Sequence, residues 1–284
     1  MKLLEGKTVV VTGASTGIGR AIAIGAAQHG ADVAINFARD TDGAAQCIAG
    51  IEAAGQRGVA IQGDVADPAT ATDFIAQAVR AFGKVDVMVS NAGICPFHSF
   101  LDMPVETFER TMRVNLHGGY YMCQAAARQM VDQGHGGSII AVSSISALVG
   151  GEFQTHYTPT KAGLHSLMQS AAIALGRHNI RCNSLLPGTI LTEINKDDLA
   201  DEGKRTYMEG RVPLGRLGAR RFPCFRPGAL RHRRGVAGRW RRLREPAIGG
   251  TLPHQHTACA RRRVRIADSA ASAVHGPNSL RFGR

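Results

Sequence analysis

The sequence lacks the features that mark membrane proteins and secreted proteins. No uninterrupted apolar run approaches the roughly 18 residues that a membrane-spanning helix needs, and no charged-then-apolar leader follows Met1. The six cysteines are scattered, and none belongs to a C-x-x-C pair. We therefore expect a soluble protein in a reducing, cytoplasmic setting, with no membrane partner and no bound metal.

Lysine is absent from residues 219–284, although the chain carries a formal net charge of +12. This stretch holds 16 arginines and two acids, a net charge of +14, whereas residues 1–218 hold 18 basic and 20 acidic residues. Clustered arginine can neutralise phosphates, so an arm for nucleic acid is one interpretation. Because the stretch has almost no periodic apolar pattern, we expect it to lack a defined fold.

At 284 residues and 44% hydrophobic content, the chain is long enough for one large α/β domain, and no internal repeat is found. Apolar, β-branched runs alternate with longer segments of helical period. This order predicts a Rossmann-type, doubly wound parallel sheet with helices on both faces. Helices are predicted to start at Asp67-Pro68 and Met103-Pro104. The six predicted strands are Thr8–Val11, Val33–Phe37, Val59–Gln62, Val85–Ser90, Ser138–Val142 and Ile180–Leu186.

A glycine-rich loop follows the first predicted strand, with the sequence Thr12-Gly13-Ala14-Ser15-Thr16-Gly17-Ile18-Gly19. Glycines let such a turn be tight, let backbone N–H groups approach a pyrophosphate, and place that anion at a helix N-terminus. The spacing is G-x-x-x-G-x-G instead of the common G-x-G-x-x-G. For the loop alone, a structural turn is the alternative interpretation.

Three residues suited to acid–base chemistry follow the fifth predicted strand. Ser144 ends that strand, and Tyr157 and Lys161 open the next helix. Since residues four apart share one helical face, the ammonium can favour the ionised phenol. Ser144 can hydrogen-bond a substrate oxygen on which charge builds. A half-buried aromatic and a solvated lysine are the alternative for the Y-x-x-x-K pair alone.

Weaker signals lie near the ends of other strands. Asp64-Val65 could hold an adenine amino group, and Asn91-Ala92-Gly93 could admit the nicotinamide ribose. Pro187-Gly188-Thr189 follows the sixth strand, where ligands bind in open α/β sheets, and Asn115 lies in a predicted helix. An ordinary turn and a helix-packing amide are the alternatives for the last two.

Residues 1 to about 218 resemble the short-chain dehydrogenase/reductase family. The resemblance is carried by six motifs in order, T-G-A-S-T-G-I-G, N-A-G, V-N-L-H-G, S-S, Y-x-x-x-K and P-G. The resemblance implies a homotetramer and a catalytic tetrad of Asn115, Ser144, Tyr157 and Lys161. Tyr157 would be the acid/base, Lys161 would lower its pKa and hold the nicotinamide ribose, and Asn115 would position a proton-relaying water. Ser90 replaces the family's usual asparagine. The implied cofactor-binding residues are Gly13, Ser15, Thr16, Gly17, Ile18, Gly19, Phe37, Arg39, Asp64, Val65, Asn91, Ala92, Gly93, Tyr157, Lys161, Pro187, Gly188, Ile190 and Thr192.

Four loop segments, 91–104, 142–151, 155–161 and 186–195, resemble those of the bacterial members that oxidise the anomeric hydroxyl of L-rhamnose to the 1,5-lactone with NAD or NADP. Polar side chains in these segments favour a sugar over a steroid or an acyl chain. Solvated loop side chains are the alternative for all but Ser144 and Tyr157. The candidate substrate residues are Ser144, Ser146, Gln154, Tyr157, Thr189 and Asn195.

The end of the second strand bears on the choice between NAD and NADP. A carboxylate there would bind the adenosine ribose hydroxyls and repel a 2′-phosphate. Phe37 occupies that position, and Arg39 could approach a phosphate, so both cofactors are permitted. An ordinary surface charge is the alternative for Arg39.

Residues 219–284 depart from the family, whose members continue with a helix and a seventh strand. The codons for Arg239–Arg242 can be written CGA TGG CGG CGT, which contain GAT GGC GGC GTx, or Asp-Gly-Gly-Val, in the neighbouring frame. Leu230–Ala247 can likewise encode Tyr-Val-Thr-Gly-Ala-x-x-Leu-Val-Asp-Gly-Gly-Val-Phe-Val-Asn-Leu-Gln, and Ile248-Gly249 can then supply a stop codon. We hypothesise that the reading frame shifts near 219–221. The catalytic domain would then be residues 1–218, without the last strand, and cofactor binding could be impaired.

Two other functions stay open at the level of sequence. Within the family, the chain could be a 3-oxoacyl-carrier-protein reductase or a glucose 1-dehydrogenase. Outside the family, the chain could be an inactive binding protein whose basic tail contacts nucleic acid. We do not expect a nucleic-acid partner, because the composition of the tail is better explained by a shifted reading frame.

Overall fold

The structure is a computed structural model, and it describes residues 2–218. Its centre is a six-stranded parallel sheet in the order β3-β2-β1-β4-β5-β6. The order reverses between β1 and β4, and ligands bind at the carboxyl ends of the strands at such a point. The strands are β1 (Thr8–Thr12), β2 (Asp32–Phe37), β3 (Gly58–Gln62), β4 (Val87–Ser90), β5 (Gly137–Val142) and β6 (Ile180–Leu185).

Helices cover the two faces of the sheet unequally. The helices are α1 (Gly17–Gln28), α2 (Thr41–Glu52), α3 (Pro68–Phe82), α4 (Val105–Met112), α5 (Gly118–Gln133), α6 (Tyr157–Leu175) and α7 (Glu202–Gly210). On one face, α3, α5 and α6 pack on side chains such as Val10, Met88 and Ile139. On the other, α1 and α2 pack on Val9 and Val33. Alternate strand residues thus feed two separate apolar cores, as expected for strands buried on both faces.

Local sequence signals set several helix boundaries. Asp67 caps α3 by accepting a hydrogen bond from the Ala69 N–H at 2.9 Å, and Pro68 is the first helical residue. Gly83 ends the same helix in the left-handed conformation (φ 82°). Asp40 caps α2 in the same way as Asp67 caps α3. These caps satisfy backbone groups that a helix end leaves unpaired.

The fold class predicted from the sequence is confirmed, since every predicted strand is present and parallel. Among residues 2–218, β6 has no further strand at its outer side. None of the helices in this range is long and apolar enough to cross a membrane. The predictions for residues 219–284 fall outside the described residues.

Candidate active site

The glycine-rich loop has the close packing that its sequence predicts. Gly13 has a φ of +62°, and a Cβ there would lie 2.7 Å from the Ala92 Cα. A Cβ on Gly19 would lie 2.3 Å from the Gly13 carbonyl oxygen. At Gly17 (φ +55°) the nearest atoms would be 3.5 Å away, on Thr192. Gly13 and Gly19 therefore allow the close packing of the loop, whereas Gly17 leaves space beside the start of α1.

Side-chain hydrogen bonds hold the backbone of this loop in place. The Asn91 Nδ2 donates to the carbonyl oxygens of Thr12 (2.9 Å) and Gly13 (3.0 Å), and the Thr12 Oγ1 accepts from the Asn91 N–H. On the other side, the Arg20 Nε donates to the Ser15 carbonyl oxygen at 2.7 Å. Asn91, predicted to contact the cofactor, thus has its amide occupied by the loop. Arg20 was not predicted from the sequence, because a single arginine on a helix carries no signal by itself.

Asn115 lies in a π-helical turn, Arg113–His117, between α4 and α5. Its Oδ1 accepts from the Ile94 N–H at 2.8 Å and its Nδ2 donates to the Ile94 carbonyl oxygen at 2.9 Å. The side chain is fully buried and also donates to the Thr160 Oγ1 at 3.2 Å. π-helical turns occur frequently at functional sites. This one ties the segment after β4 to α6, which carries Tyr157.

Tyr157 and Lys161 lie together on the first turn of α6. The Lys161 Nζ is 5.5 Å from the centre of the Tyr157 ring and donates to the Val142 carbonyl oxygen at 3.0 Å. The Ser143 Oγ donates to the Lys161 carbonyl oxygen at 2.7 Å, which fixes α6 to the end of β5. A Cβ on Gly93 would lie 3.3 Å from both the Lys161 Nζ and the Asn115 Oδ1. The predicted tetrad members therefore converge at the carboxyl ends of β4 and β5.

Burial controls the protonation of this pair. Burial raises the pKa of Tyr157 to about 12, the nearby Cys95 adds to the rise, and a hydrogen bond with Ser144 opposes it. Burial also lowers the pKa of Lys161 to about 8. Both shifts disfavour the charged form of a group removed from water. The resemblance implied that Lys161 lowers the pKa of Tyr157; burial raises that pKa instead, so the phenol is neutral beside a lysine whose pKa is about 8.

Polar side chains continue from Ser144 along one wall. The Ser144 Oγ accepts from the Ser146 N–H at 3.0 Å, and the Ser146 Oγ donates to the Gln154 Oε1 at 3.1 Å. The Gln154 side chain is also hydrogen-bonded to Cys95. The structure thus brings three of the predicted substrate residues into one hydrogen-bonded row beside Tyr157.

The loop after β6 contains the other predicted substrate and cofactor residues. The Pro187 carbonyl oxygen accepts from the Ile145 N–H at 2.9 Å, and the Thr189 carbonyl oxygen accepts from the Gly218 N–H at 3.1 Å. The Asn195 Oδ1 accepts from the Thr192 N–H at 2.9 Å, and its Nδ2 donates to the Ile190 carbonyl oxygen at 3.1 Å. The Asn195 amide therefore stabilises its own loop. Among residues 2–218, no heavy atom would lie within 4 Å of a Cβ placed on Gly188, so this part of the chain leaves space there.

The adenine side of the predicted cofactor site contains an ion pair. The Asp64 carboxylate accepts from the Ala66 N–H at 3.0 Å and pairs with the Arg110 guanidinium at 2.6 Å. Burial acts to raise the pKa of Asp64, but these hydrogen bonds and the positive charges of Arg110 and Arg39 lower it overall. Val65 packs against Gly118, and Phe37 is buried at the end of β2. Arg110 was not predicted, because it lies 46 residues from Asp64 in the chain.

Two further residues beside Tyr157 were not assigned from the sequence. Cys95, in the segment after N-A-G, is buried next to Tyr157 and Lys161, and burial raises the pKa of its thiol to about 12. His156 is fully buried, and within the described part of the chain neither ring nitrogen has a hydrogen-bond partner at normal distance and angle, although the imidazole lies near the Pro96 carbonyl. Burial lowers the pKa of His156. Neither Cys95 nor His156 belongs to a sequence motif that would indicate its position beside Tyr157.

Residues 7–203 match the model of the short chain dehydrogenase family, and the chain belongs to that family. An L-rhamnose 1-dehydrogenase (NAD(P)(+)) of Sphingomonas sp. strain SKA58 is 79% identical over 219 residues, which cover 77% of this chain and 86% of that protein. A protein of the same name from Azotobacter vinelandii is 60% identical over 219 residues, 76% of this chain and 86% of the relative.

Solved structures agree with this assignment. A short chain dehydrogenase from Burkholderia cenocepacia, solved in complex with NADP, has a TM-score of 0.71 and 36% identity. The match covers 77% of this chain and 87% of that one. A short-chain dehydrogenase/reductase from Mycobacterium marinum has a TM-score of 0.73 and 39% identity, covering 77% and 85% of the two chains. The family predicted from six sequence motifs is therefore confirmed.

Proposed function

We propose that this protein oxidises the anomeric hydroxyl of L-rhamnose to the 1,5-lactone, with NAD or NADP as the hydride acceptor. The observation that carries the proposal is the 79% identity to an L-rhamnose 1-dehydrogenase together with a complete Asn115, Ser144, Tyr157 and Lys161 set. The hydrogen-bonded row of Ser144, Ser146 and Gln154 supports a substrate with several hydroxyl groups. A sugar needs such directed hydrogen bonds more than it needs an apolar slot.

The residues present fit a nicotinamide dinucleotide. Backbone N–H groups at the start of α1 face the space beside Gly17, where a pyrophosphate would be stabilised by the helix dipole. Gly93 and Gly188 would border the nicotinamide half, near Lys161. When bound, the dinucleotide supplies an acceptor for the hydride that leaves the anomeric carbon.

The chain's own residues handle the proton. Tyr157 Oη takes the proton of the anomeric hydroxyl, and the Ser144 Oγ hydrogen-bonds the same oxygen. The Lys161 ammonium stabilises the phenolate that accepts this proton, because an opposite charge nearby favours the ionised form. Asn115 keeps the Ile94 backbone and the Thr160 hydroxyl in place, and a water bound there would carry the proton to solvent.

For the cofactor, we infer that NAD and NADP are both used. Phe37 leaves no carboxylate at the end of β2 to repel a 2′-phosphate, and Arg39 lies close enough to affect Asp64 electrostatically. The Sphingomonas and Azotobacter relatives carry NAD(P)(+) in their names, and a relative from Thermoplasma acidophilum, 46% identical, carries NADP(+). Titration of each cofactor against the purified protein would give the ratio of the two affinities.

We further propose that residues 1–218 are the catalytic domain of a cytoplasmic homotetramer. The cysteines within residues 2–218 are free thiols, which suits a reducing compartment. Exposed apolar side chains on the outer helices, Tyr120 on α5 and Ile173 on α6, offer contacts for other subunits. Sedimentation equilibrium would give the number of subunits.

A sugar panel tests the proposed reaction. Purified protein would be mixed with L-rhamnose, D-glucose or an acyl substrate and either cofactor, and reduced nicotinamide would be followed by absorbance. L-rhamnose should give the highest kcat/KM. Activity confined to 3-oxoacyl substrates would instead favour the reductase, a function that a Staphylococcus aureus relative carries in its name at 38% identity. If only D-glucose reacts, the assignment to L-rhamnose is wrong.

A further inference from the structure

Residues 94–98, which follow the N-A-G motif, form a wall beside the candidate active site. The buried Cys95 of this segment lies next to Tyr157. Phe97 is half-buried, and the Lys204 ammonium of α7 lies 5.6 Å from the centre of its ring. The segment therefore borders the Tyr157 side chain on one side and α7 on the other.

The backbone of this segment is bonded at its two ends. The Ile94 N–H and carbonyl oxygen pair with the Asn115 amide at 2.8 and 2.9 Å. The His98 N–H donates to the Phe153 carbonyl oxygen at 3.3 Å. Residues 95–97 lie between these two anchors, where side chains of a neighbouring turn contact them.

Two side chains of the turn at residues 153–156 contact the middle of the segment. The Gln154 side chain is hydrogen-bonded to Cys95. The His156 imidazole lies near the Pro96 carbonyl oxygen. Because this turn leads directly into α6, both contacts join the segment to that helix.

His156 is the more unusual of these two side chains. It has no exposed surface, and within residues 2–218 neither ring nitrogen has a hydrogen-bond partner at normal distance and angle. Buried polar atoms are normally paired, because losing the hydrogen bonds to water without replacing them destabilises the fold. Burial lowers the pKa of His156, so the ring is neutral and one of its nitrogens carries an N–H. The Pro96 carbonyl oxygen is an acceptor beside that ring.

We propose that His156 is a positioning residue for the sugar pocket. Its imidazole N–H donates to the Pro96 carbonyl oxygen, and this hydrogen bond holds residues 95–97 against the start of α6 as one wall of the pocket. The bond thereby sets the affinity for the sugar. This inference deepens the proposed function and rests on it.

Tyr157 and Lys161 are held by contacts that do not involve the imidazole. The Thr160 Oγ1 donates to the Tyr157 carbonyl oxygen at 2.6 Å, and the Ser143 Oγ donates to the Lys161 carbonyl oxygen at 2.7 Å. Loss of the imidazole should therefore move residues 95–97 more than it moves the phenol. The expected result is a higher KM for the sugar, with kcat and cofactor affinity kept.

Variants of the full 284-residue protein test this role with the substrate that has the highest kcat/KM in the sugar panel. His156→Leu has a similar volume but no N–H, so KM should rise at least tenfold, with kcat and the Kd of NAD(P) within about threefold of wild type. His156→Asn and His156→Gln place an amide N–H near the positions of Nδ1 and Nε2. One of them should restore KM to within about threefold of wild type, and the other should resemble His156→Leu.

His165→Leu is the matched control. His165 lies further along α6, and its Nδ1 is also buried without a partner in the described range. If the loss of any buried imidazole nitrogen on this helix were enough to change KM, both leucine variants would show it. His165→Leu should instead keep the wild-type KM and kcat.

Hydrogen exchange provides a measurement that needs no substrate. Overlapping peptides that cover residues 94–98 would be followed by mass spectrometry. The His98 amide, which is bonded to Phe153, should exchange at least tenfold faster in His156→Leu than in wild type. The polar variant that restores KM should also restore this protection.

A wild-type KM in His156→Leu, a lower kcat at unchanged KM, or equal KM values for His156→Asn and His156→Gln would each overturn the proposal. If His156→Leu does not fold, the comparison of the two polar variants decides alone. If the wild type turns over no member of the panel, the proposed function fails by itself, and exchange decides the inference. Unchanged exchange at residues 94–98 in His156→Leu would then overturn it.

Discussion

At the residue scale, the active site depends on two groups whose burial opposes their charged forms. Tyr157 is held neutral and Lys161 loses its proton more easily than a solvated lysine. Burial thus opposes the phenolate form of Tyr157 that would accept a proton from a substrate hydroxyl, and a positive charge on Lys161 would favour that form. The roles of the two residues can therefore be tested separately, because Tyr157 would transfer the proton and Lys161 would supply the positive charge.

Tyr157→Phe should lower kcat by about two to four orders of magnitude, the usual contribution of a positioned acid–base group. The ring stays in place, so cofactor affinity and the thermal midpoint should change little. Steady-state kinetics and cofactor titration check this. Tyr120→Phe is the matched control, because Tyr120 is 45% exposed on α5 and its hydroxyl accepts a hydrogen bond from the Gln124 side chain at 3.0 Å, away from the candidate active site. A Tyr157→Phe enzyme with normal turnover would remove the phenol from the mechanism.

Lys161 also predicts a pH effect on stability. Its pKa is about 8 in the folded protein and 10.5 in a solvated lysine, so between these values the unfolded chain binds a proton that the folded chain has released. The free energy of unfolding must then rise with pH through this window, by at most about 1.4 kcal/mol per unit, and be flat below pH 8 for this group.

Lys161→Met removes that contribution. Denaturant unfolding of both proteins at pH 7, 8.5 and 10 should show the unfolding free energy of wild type increasing relative to that of Lys161→Met as pH rises. Other titrating groups are common to the two proteins, so they cancel in the difference. Parallel pH profiles would mean that Lys161 is not desolvated as the structure indicates.

At the scale of elements, the predicted strands agree closely with the observed ones, because the central strands β1 and β2 are apolar runs buried on both faces of the sheet. The largest difference is at β4, which begins at Val87 where Val85 was predicted. Asp86 lies between them, and its carboxylate accepts from the Thr8 N–H and pairs with Lys7. Those contacts join positions 78 and 79 residues apart, so a local pattern could not reveal them.

Site residues could be predicted where their arrangement depends on local sequence spacing, and their contacts could not be predicted where they depend on the folded backbone. The Tyr157 and Lys161 pair follows from helical spacing, and the structure places both on the first turn of α6. By contrast, Asn115 was expected in a regular helix and lies in a π-helical turn bonded to Ile94. The use of the Asn195 amide within its own loop likewise depends on a backbone conformation that the sequence does not display.

The glycine loop gives a prediction at this scale. Gly13→Ala should destabilise the protein by about 2–4 kcal/mol, combining a positive φ with overpacking against Ala92. It should also weaken cofactor binding, because the loop must shift. Gly55→Ala is the matched control: Gly55 has a φ of +79°, but a Cβ there would meet no atom of residues 2–218 within 4 Å. Thermal melts and cofactor titration of both variants measure the difference. Equal losses would leave only backbone strain as the cause.

At the scale of the whole molecule, a prediction concerns the effect of residues 219–284 on the proposed catalytic domain, residues 1–218. Gly218 forms a parallel bridge with Ile190, and its N–H is bonded to the Thr189 carbonyl oxygen. The chain thus leaves the described region beside the loop that contains Pro187, Gly188 and Thr192. Residue 219 is therefore attached to a residue that is bonded to one wall of the proposed cofactor site.

A frame-restored chain, made by deleting one base within codons 219–221, should therefore bind NAD(P) at least tenfold more tightly than the 284-residue protein and unfold at a higher temperature, by roughly 2–4 °C for each kcal/mol gained. The physical reason is that the family's seventh strand, which this chain would regain, would pair with the outer edge of β6 and fix the loop bonded to Gly218. Cofactor titration and thermal melts of the two chains check both effects, with a chain ending at Gly218 as the control for simple removal of the basic tail. If that shortened chain equals the frame-restored one, the arginines alone impair the protein. If all three bind the cofactor equally, the loop is already fixed by residues 2–218, and the frame of the last codons does not matter for binding.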